Sequence, residues 1–371
     1  MHVAVTGAGG FIGKNLCVRL REGAHRDNIV EILRTTSAAH TRAALAHADF
    51  VFHLAGVNRP KEETEFKNGN EGATEALCAA LASTGRTIPV VYASSTQAAL
   101  DNAYGRSKRA AEEILLRYAR ATGSGVYLLR LTNVFGKWCR AHYNSAVATF
   151  CHQLARGLPI VVNDPSAILK LTYIDDVVQV MLRLLEAPPP ESGYVEVAPV
   201  YDTTVGAVAQ TLRSFVDSRT SLLTPRVGTG LVRALYSTYI SYLPPEEFAY
   251  AVPRRPDSRG EFVEMLKTPD CGQFSYFTAH PGITRGEHYH HSKTEKFLVI
   301  RGAARFEFRN LATGERHELT TRGGEARIVE TAPGWAHNIT NVGDEELIVM
   351  LWANEVFDRI RPDTVAIKVV P

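Results

Sequence analysis

Three glycines with the spacing Gly-x-x-Gly-x-x-Gly stand directly after the first apolar run of the chain. This run, His2–Val5, has the pattern of a strand, and a helical pattern follows at Gly13–Arg21. Glycine permits the tight turn between such a strand and helix, and it lets backbone N–H groups approach a pyrophosphate at the helix N-terminus. The motif therefore predicts a dinucleotide-binding site. Its expected cofactor-binding residues are Gly7, Gly10, Phe11, Ile12 and Gly13.

The first half of the chain alternates short apolar runs with helical patterns. The strand-like runs are His2–Val5, Ile29–Leu33, Phe50–Leu54, Ile88–Ala93 and Val126–Leu131. The helical patterns are Gly13–Arg21, Ala38–Ala46, Glu71–Ala82 and Ser107–Ala121. This alternation predicts an α/β fold, a doubly wound parallel sheet of the Rossmann type with helices on both faces.

Beyond about residue 245 the helical periodicity gives way to short alternating strands, separated by turns such as Pro281-Gly282 and Pro333-Gly334. The strand-like segments are Phe274–Phe277, Phe297–Ile300, Arg305–Phe308, Ala326–Val329 and Leu347–Leu351. Regularly spaced strands predict a small antiparallel all-β barrel. The chain has 371 residues, which is too long for one typical core. We therefore expect one domain over residues 1–245 and a second over residues 246–371.

Charge and cysteine content argue against several classes of protein. The 41 basic and 39 acidic residues leave a net charge of +2, which gives no indication of a nucleic-acid or membrane-surface partner. The five cysteines are scattered without a Cys-x-x-Cys pair, so neither a disulfide framework nor a thiolate zinc site is expected. No apolar stretch approaches the roughly 20 residues that cross a bilayer. We expect a cytoplasmic protein.

A tyrosine and a lysine four residues apart, Tyr104 and Lys108, stand at the start of a predicted helix. This spacing places both side chains on one face, where the ammonium would lower the pKa of the phenol. Such a phenol donates a proton to a carbonyl oxygen while a nicotinamide cofactor delivers hydride. Arg34 stands where NAD-binding folds carry an acid. An arginine there fits the 2′-phosphate of NADP, and the alternative is a solvated surface residue.

Several further segments resemble the extended short-chain dehydrogenase/reductase family over roughly the first 245 residues. They are His53-Leu54-Ala55-Gly56, Asn70, Arg130-Leu131-Thr132-Asn133-Val134-Phe135-Gly136 and Asp175-Asp176. The resemblance implies that Leu54, Ala55 and Gly56 close over NADP(H). It also implies that Tyr104 and Lys108 are catalytic and contact the cofactor, while Asn133 binds the substrate.

The family also requires a serine or threonine at the end of the strand before the tyrosine. Three hydroxyl residues are available there, Ser94, Ser95 and Thr96. Alignment on the strand favours Ser95 as the third catalytic residue, although only eight residues separate it from Tyr104. Family dehydratases continue with an Asp-Glu pair, whereas this chain has Gln97 and Ala98. Dehydration is therefore disfavoured, which leaves simple reduction or epimerisation.

A second group of functional residues lies in the predicted β-domain. His288 and His290 are two residues apart, so both would point to one face of a strand. Glu295 lies beyond a predicted turn, and His337 lies on a later strand. Three imidazoles and a carboxylate suit a divalent metal; zinc, iron, nickel and manganese are all chemically possible, and zinc is the ion we expect. The alternative is a histidine-rich surface loop, because His291 adjoins the pair.

The spacing of these residues resembles the cupin family. The positions that match its two motifs are Gly282, His288, His290, Glu295 and Gly302, then His337 and Asn341. The segment Asp257–Phe262 is similar to the opening of the sugar-nucleotide 3,5-epimerase cupins. A 4-keto group makes the hydrogen on carbon 3 of a sugar acidic, and a metal on the ketone oxygen would stabilise the enolate. Candidates for the base are Tyr276, Tyr289, His291, Lys293, Lys296 and His317.

Over essentially its whole length the chain resembles the bifunctional capsular polysaccharide synthesis enzymes. The segments that carry this resemblance are Gln97, Asp101–Gly105, Phe135–Cys139, Tyr143–Ser145, Leu235–Tyr239 and His288–Phe297. It implies that the cupin inverts carbon 3 of UDP-2-acetamido-2,6-dideoxy-β-L-arabino-4-hexulose. The first domain would then reduce carbon 4 with NADPH to UDP-N-acetyl-L-talosamine, on the route to UDP-N-acetyl-L-fucosamine. The resemblance also implies a homodimer, and Tyr143 and Asn144 join Asn133 as expected substrate-binding residues.

Two other functions fit the same sequence. One is an NAD(P)-dependent nucleotide-sugar 4-epimerase that regenerates its cofactor and therefore consumes no NADPH. The other is a reductase whose cupin is a non-catalytic module for binding or dimerisation, which would leave carbon 3 unchanged.

Overall fold

The computed structural model describes residues 1–23, 28–60, 62–247, 250–290, 293–311, 314–331, 335–360 and 362–370. The chain divides into two compact units, each of which is described by itself. The first unit comprises Met1–Leu212 and Ala234–Pro244, and the second comprises Arg213–Arg233 and Pro245–Pro371. The predicted boundary at residue 245 lies one residue from the break after Pro244, whereas the segment Arg213–Arg233 groups with the second unit.

A parallel sheet forms the centre of the first unit. The strands of this unit are β1 (Val3–Thr6), β2 (Ile29–Ile32), β3 (Phe50–His53), β4 (Val90–Ser95), β5 (Val126–Leu131), β6 (Asn133–Phe135), β7 (Ile168–Tyr173), β8 (Gly193–Tyr194) and β9 (Tyr201–Thr204). The main sheet has the order β2-β1-β3-β4-β5-β8, and every neighbouring pair in it is parallel. Strands β6, β7 and β9 form a small separate sheet. The predicted doubly wound parallel sheet is confirmed.

Helices alternate with these strands. They are α1 (Phe11–Glu22), α2 (Ala38–His47), α3 (Thr64–Phe66), α4 (Ala73–Ala82), α5 (Ala103–Thr122), α6 (Ala146–Leu154), α7 (Ile174–Glu186), α8 (Val205–Ser221) and α9 (Gly230–Ile240). Strands β1 and β3 are buried along their whole length, as expected when both faces of a sheet are covered. In α5 the buried residues Ala111, Leu115 and Tyr118 recur with the helical period. The Asn102 side chain caps the start of this helix, and Gly123 ends it in a left-handed conformation.

The second unit contains two antiparallel sheets. Its strands are β10 (Arg254–Asp257), β11 (Gly260–Thr268), β12 (Gly272–Ala279), β13 (Thr284–Tyr289), β14 (Glu295–Arg301), β15 (Ala303–Asn310), β16 (Arg316–Arg322), β17 (Ile328–Glu330), β18 (Trp335–Asn341), β19 (Leu347–Ala353) and β20 (Val365–Ala366). The sheet orders are β10-β11-β12-β19-β14-β17 and β16-β15-β18-β13-β20. Side chains from both sheets meet in one apolar core, where the rings of Phe297 and Phe306 lie 5.7 Å apart. The predicted antiparallel all-β architecture is confirmed.

Two predicted elements begin at other residues than the sequence pattern indicated. The strand expected at Ala326–Val329 is β17, which starts at Ile328 because Ala326 has a positive φ of 50°. The helix expected at Glu71–Ala82 begins as a π-helical turn over Lys67–Gly72 and becomes α-helical at Ala73. The turn at Pro333-Gly334 lies outside the described residues. Among the residues that are described, no helix is long and apolar enough to cross a membrane.

Candidate active site and candidate metal centre

At two positions of the glycine-rich turn after β1, any residue larger than glycine would clash with the backbone. Gly7 has a φ of 68°, and a Cβ on it would lie 2.6 Å from the backbone nitrogen of Ala55. A Cβ on Gly13 would lie 2.3 Å from the carbonyl oxygen of Gly7. Helix α1 can therefore begin close to the strand ends, which leaves its first N–H groups facing an open cleft. This bare helix N-terminus fits the pyrophosphate of a dinucleotide.

The cleft occupies about 820 Å³ at the carboxyl ends of the parallel strands, where folds of this kind bind their ligands. We call it the first-unit cleft. The predicted site residues that line it are Gly7, Gly10, Phe11, Ile12, Gly13, Leu54, Gly56, Ser95, Tyr104, Lys108, Asn133, Tyr143 and Asn144. Ala55 and Arg34 are not among the lining residues. Arg34 is exposed in the turn after β2, and its contact with a cofactor stays a prediction.

The structure distinguishes the three hydroxyl residues at the end of β4. The Ser95 side chain is close enough to the Tyr104 phenol to lower its pKa as a hydrogen-bonding group. The Ser94 hydroxyl instead donates to the Glu112 carboxylate at 2.5 Å, and the Thr96 hydroxyl lies 3.5 Å from a backbone carbonyl. Of the three hydroxyls, only that of Ser95 acts on the phenol, and its catalytic role stays a prediction.

The short connection between Ser95 and Tyr104 depends on a close approach of the backbone. A 3-10 helix over Thr96–Ala99 follows β4 directly. A Cβ on Gly105, in the first turn of α5, would lie 2.2 Å from the carbonyl oxygen of Gln97. Glycine at this position lets α5 start against the 3-10 helix, so that eight residues suffice to bring the serine beside the tyrosine.

Lys108 is buried and bound to β4. Its Nζ donates to the Tyr92 hydroxyl at 3.0 Å and to the Ala93 carbonyl at 2.8 Å. Burial lowers the pKa of Lys108 to about 8, against the opposing effect of the Glu112 charge. Burial also raises the pKa of Tyr104, while the Ser95 hydroxyl acts in the opposite direction. The expected lowering of the Tyr104 pKa by Lys108 is therefore wrong for this structure, because desolvation of the phenol dominates.

The buried carboxylate of Glu112, on α5, accepts hydrogen bonds from several neighbouring side chains. Glu112 is 1 % exposed and accepts two hydrogen bonds from Arg130, at 3.0 and 2.7 Å. It also accepts from Ser94 at 2.5 Å and from the Tyr194 hydroxyl at 3.1 Å. A sequence motif contains Arg130, but no motif indicates its partner Glu112 or the tyrosine that binds Lys108, Tyr92. Neither residue carries a recognisable spacing, because both act through contacts between distant segments.

The second unit brings the four predicted metal ligands together. His288 on β13 pairs directly with His337 on β18, and one ligand atom from each of His288, His290, Glu295 and His337 lies within 4.8 Å of the others. The Nε2 atoms of His290 and His337 lie 3.2 and 3.4 Å from Glu295 Oε2. The Nε2 atoms of His288 and His337 are buried without a hydrogen-bond partner. Unsatisfied imidazole nitrogens converging on a carboxylate are the donor set of a transition-metal site.

The protonation states of this cluster also fit a cation. Burial, followed by the charge of His337, lowers the pKa of His288 to about 4. Burial raises the pKa of Glu295, but the neighbouring His290 and His337 imidazoles and the Lys293 charge outweigh it and hold this pKa below its ordinary value. The neutral imidazole of His288 and the ionised carboxylate of Glu295 are the forms that bind metals.

The C-terminal segment contacts one of these imidazoles, that of His290, at its Nδ1 atom. The Nδ1 of His290 lies 2.5 Å from the carbonyl oxygen of Asp363, and β20 pairs with β13 beside it. A proton on Nδ1 leaves Nε2 as the ligating nitrogen, as in many metal sites where a backbone carbonyl orients a histidine. The Asp363 carboxylate also accepts from the backbone N–H of Lys293 at 2.8 Å. No sequence pattern indicates this role, because a backbone carbonyl is common to every residue.

The candidate bases differ in their surroundings. Lys293 is buried, with its Nζ 3.7 Å from Glu295 Oε1. The Tyr276 hydroxyl donates to Glu261, and His317 stacks on an aromatic ring of the barrel wall. The other described candidates are Tyr289, which is half-buried at the end of β13, and Lys296, which lines an outer apolar hollow. His291 lies outside the described residues.

The fold and site place the chain in a known class, and comparison with known proteins agrees. The chain belongs to the NAD dependent epimerase/dehydratase family, which residues 3–195 match, and residues 255–365 match the polysaccharide biosynthesis C-terminal domain. It is 56% identical over 369 residues to UDP-2-acetamido-2,6-beta-L-arabino-hexul-4-ose reductase of Pseudomonas aeruginosa, covering 100% of this chain and 99% of the relative.

Solved structures show the same relationship. The capsular polysaccharide assembling protein CapF of Staphylococcus aureus is 40% identical, with a TM-score of 0.91 over 99% of this chain and 100% of that one. CapF with the inhibitor 3-isopropenyl-tropolone is 37% identical, with a TM-score of 0.86 over the same shares. MoeE5 in complex with UDP-glucose and NAD, at 22% identity and a TM-score of 0.55, covers 65% of this chain and 98% of its own and shows the fold alone. The expected similarity to the bifunctional capsular polysaccharide enzymes is confirmed.

Proposed function

We propose that this chain reduces the 4-keto group of a UDP-linked 6-deoxy amino sugar after inverting the neighbouring carbon 3. The substrate would be UDP-2-acetamido-2,6-dideoxy-β-L-arabino-4-hexulose, and the product UDP-N-acetyl-L-talosamine. The observation that carries this proposal is full-length 56% identity to a reductase of that keto sugar, in a chain that sets Ser95 beside Tyr104 in an open cleft.

The reduction uses residues of the first-unit cleft. Bound NADPH supplies hydride to carbon 4 of the sugar. Burial keeps Tyr104 protonated until that moment, so its hydroxyl can donate a proton to the ketone oxygen. Ser95 orients the phenol, and the Lys108 ammonium, one helical turn away, stabilises the phenolate that remains. The Gly7, Gly10 and Gly13 turn would hold the cofactor pyrophosphate, and Arg34 would select NADPH by its 2′-phosphate.

The epimerisation uses the cluster in the second unit, which we propose to be a cupin metal site. A 4-keto group makes the hydrogen on carbon 3 acidic, so removal and return of this proton on opposite faces inverts the carbon. A divalent cation held by His288, His290, Glu295 and His337, most simply zinc, would supply Lewis-acid stabilisation of the enolate oxygen. The buried charge of Lys293 beside Glu295 adds to the positive potential there.

The order of the two steps follows from the chemistry. Only the ketone acidifies the hydrogen on carbon 3, and reduction of carbon 4 removes the ketone. Inversion therefore has to precede reduction. The nicotinamide cofactor is required only for the second step. The homodimer and the cytoplasmic location expected from the sequence stay predictions.

The experiment combines NADPH consumption with product stereochemistry. The full chain is incubated with the UDP-4-keto sugar and NADPH, absorbance is followed at the nicotinamide band, and the product is identified by NMR. We expect one NADPH consumed per product, with inverted configuration at carbon 3. Turnover without NADPH loss would instead identify a 4-epimerase. A reduced product with unchanged carbon 3 would leave the cupin without a catalytic role.

A further inference from the structure

The first-unit cleft has only basic residues among the described charged side chains that line it. The charged side chains that line it are Lys14, Lys108, Arg140 and Lys170, and no aspartate or glutamate lines it among the residues that the structure describes. Two of these cations already have partners. Lys108 is bound to β4, and Lys170 lies 3.1 Å from the carboxylate of Asp202. A cleft of this sign favours ligands that carry several negative charges.

Arg140 is exposed in this cleft and has no carboxylate partner among the described residues. Its guanidinium lies over the ring of Tyr143, 5.4 Å from the ring centroid. Stacking on an aromatic ring fixes the plane of a guanidinium while it leaves the N–H donors at its edge free. Such an arginine is prepared for bidentate hydrogen bonds to phosphate oxygens.

The loop that carries Arg140, residues 136–145, is fixed at several points. The Asn15 side chain of α1 donates to the Lys137 carbonyl at 3.2 Å, and the Lys137 ammonium lies 2.5 Å from Asp175 of α7. The hydroxyl of Tyr242 donates to the carbonyl of Cys139. These contacts hold the loop before Arg140, and after it the backbone N–H of His142 donates to the Thr149 hydroxyl at 3.0 Å.

The same loop presents an aromatic ring to the cleft. Trp138 is 48% exposed and has a φ of 67°, a left-handed conformation that is rare for a bulky residue. Strained conformations of this kind persist where surrounding contacts enforce them, and they cluster at binding sites. Trp138 thus lies on the cleft wall two residues before Arg140.

We propose that Arg140 anchors the diphosphate of the nucleotide-sugar substrate, with the Trp138 ring beside the bound nucleotide. The cofactor pyrophosphate has its own site at the Gly7–Gly13 turn, so a second diphosphate in the cleft needs a second group of donors. This inference rests on the proposed function, because it takes the substrate to be a nucleoside diphosphate sugar. It assigns a substrate-specificity role to two residues that the reduction chemistry does not use.

Tryptophan fluorescence tests the proposal in the full chain. Trp138 is the one tryptophan of the first unit, because Trp335 and Trp352 belong to the second. We expect UDP-N-acetylglucosamine and UDP to change the emission of the wild type, and this change to disappear in Trp138→Phe. In Arg140→Ala the affinity for UDP read from this signal should fall about 10- to 100-fold, with NADPH affinity unchanged. The affinity for uridine, which has no phosphate, should differ little between Arg140→Ala and the wild type.

Arg120→Ala is the matched control, because Arg120 is exposed in the last turn of the same helix as Tyr104, about 24 Å along its axis. It should leave both affinities unchanged. Equal UDP affinity in Arg140→Ala and the wild type overturns the inference, and a selective loss of NADPH affinity does so by assigning Arg140 to the cofactor. Failure of the wild type to bind any UDP compound overturns the proposed function as well. The two failures are therefore distinguishable.

Discussion

The Lys108 ammonium donates to the Tyr92 hydroxyl at 3.0 Å and lies 4.4 Å from the centre of the same ring. Tyr92 is itself 1 % exposed and stacks on the imidazole of His53. The lysine is therefore held by β4. In the proposed reduction, this contact would fix the position of the charge that assists proton transfer from Tyr104.

Removing the Tyr92 hydroxyl should weaken the reductase without unfolding it. Tyr92→Phe leaves the buried ammonium with one partner fewer, which costs about 1.5–3 kcal/mol for a hydrogen bond to a charged group. We expect kcat/KM for NADPH-dependent reduction to fall about 10- to 100-fold. Tyr118→Phe is the matched control, because its buried hydroxyl donates to the Ile88 carbonyl away from the cleft. A Tyr92→Phe enzyme as active as this control would contradict the account.

The reduction should lose activity in alkaline solution. Burial lowers the pKa of Lys108 to about 8, so the ammonium is present below this pH and is lost as the pH rises through it. We expect kcat/KM, which reports groups of the free enzyme, to fall above about pH 8. The Glu112 charge raises this pKa, so Glu112→Gln should move the fall to lower pH. A fall at the same pH in both enzymes would show that another group is responsible.

Arg34 should decide between the two nicotinamide cofactors. It is exposed after β2, where its guanidinium can pair with a 2′-phosphate that only NADPH carries. Arg34→Ala should raise KM for NADPH about 10-fold or more and change KM for NADH little. Arg42→Ala, a change at an exposed arginine of α2, is the control. If the two KM values change in parallel, Arg34 is a surface residue without a selective role.

The C-terminal strand should be required for tight metal binding. Removing residues 365–371 deletes β20 and frees the Asp363 carbonyl that orients His290. Loss of such an outer partner typically lowers metal affinity 10- to 100-fold. We expect zinc content after dialysis, measured by elemental analysis, to fall well below that of the full chain. A chain lacking only residues 370 and 371 keeps β20 and should retain its metal. Equal zinc in both truncations would show that His290 needs no support from this segment.

The fold was predictable because its signals are local. Apolar runs such as that of β3 are buried along their whole length, and their alternation with helical periods predicts a parallel sheet without any tertiary information. The cluster of candidate metal ligands was predictable for a similar reason. His288 and His290 are two residues apart, and in an extended segment this spacing places both side chains on the same face.

The supporting contacts were not predictable from the sequence. Tyr92 contacts Lys108, and Glu112 binds Ser94 and Arg130, only because folding brings together segments that are distant along the chain, and no sequence spacing indicates these contacts. The Asp363 carbonyl lies 73 residues from His290 and belongs to the backbone, which is common to every residue. The direction in which the Tyr104 pKa is shifted could not be predicted from the sequence either. Helical spacing predicts that Lys108 shares its face, but only the packed structure shows that burial raises the Tyr104 pKa.

The most direct test of the two-step account is proton exchange at carbon 3 in the absence of NADPH. The full chain with a loaded metal site is incubated with the UDP-4-keto sugar in D₂O, and NMR is used to follow deuterium at carbon 3 against an enzyme-free sample. We predict incorporation by the wild type and by Tyr104→Phe, which should have lost reduction by a factor of about 100 or more. His337→Ala should lose the exchange. No deuterium at carbon 3 in the metal-loaded wild type would contradict the account.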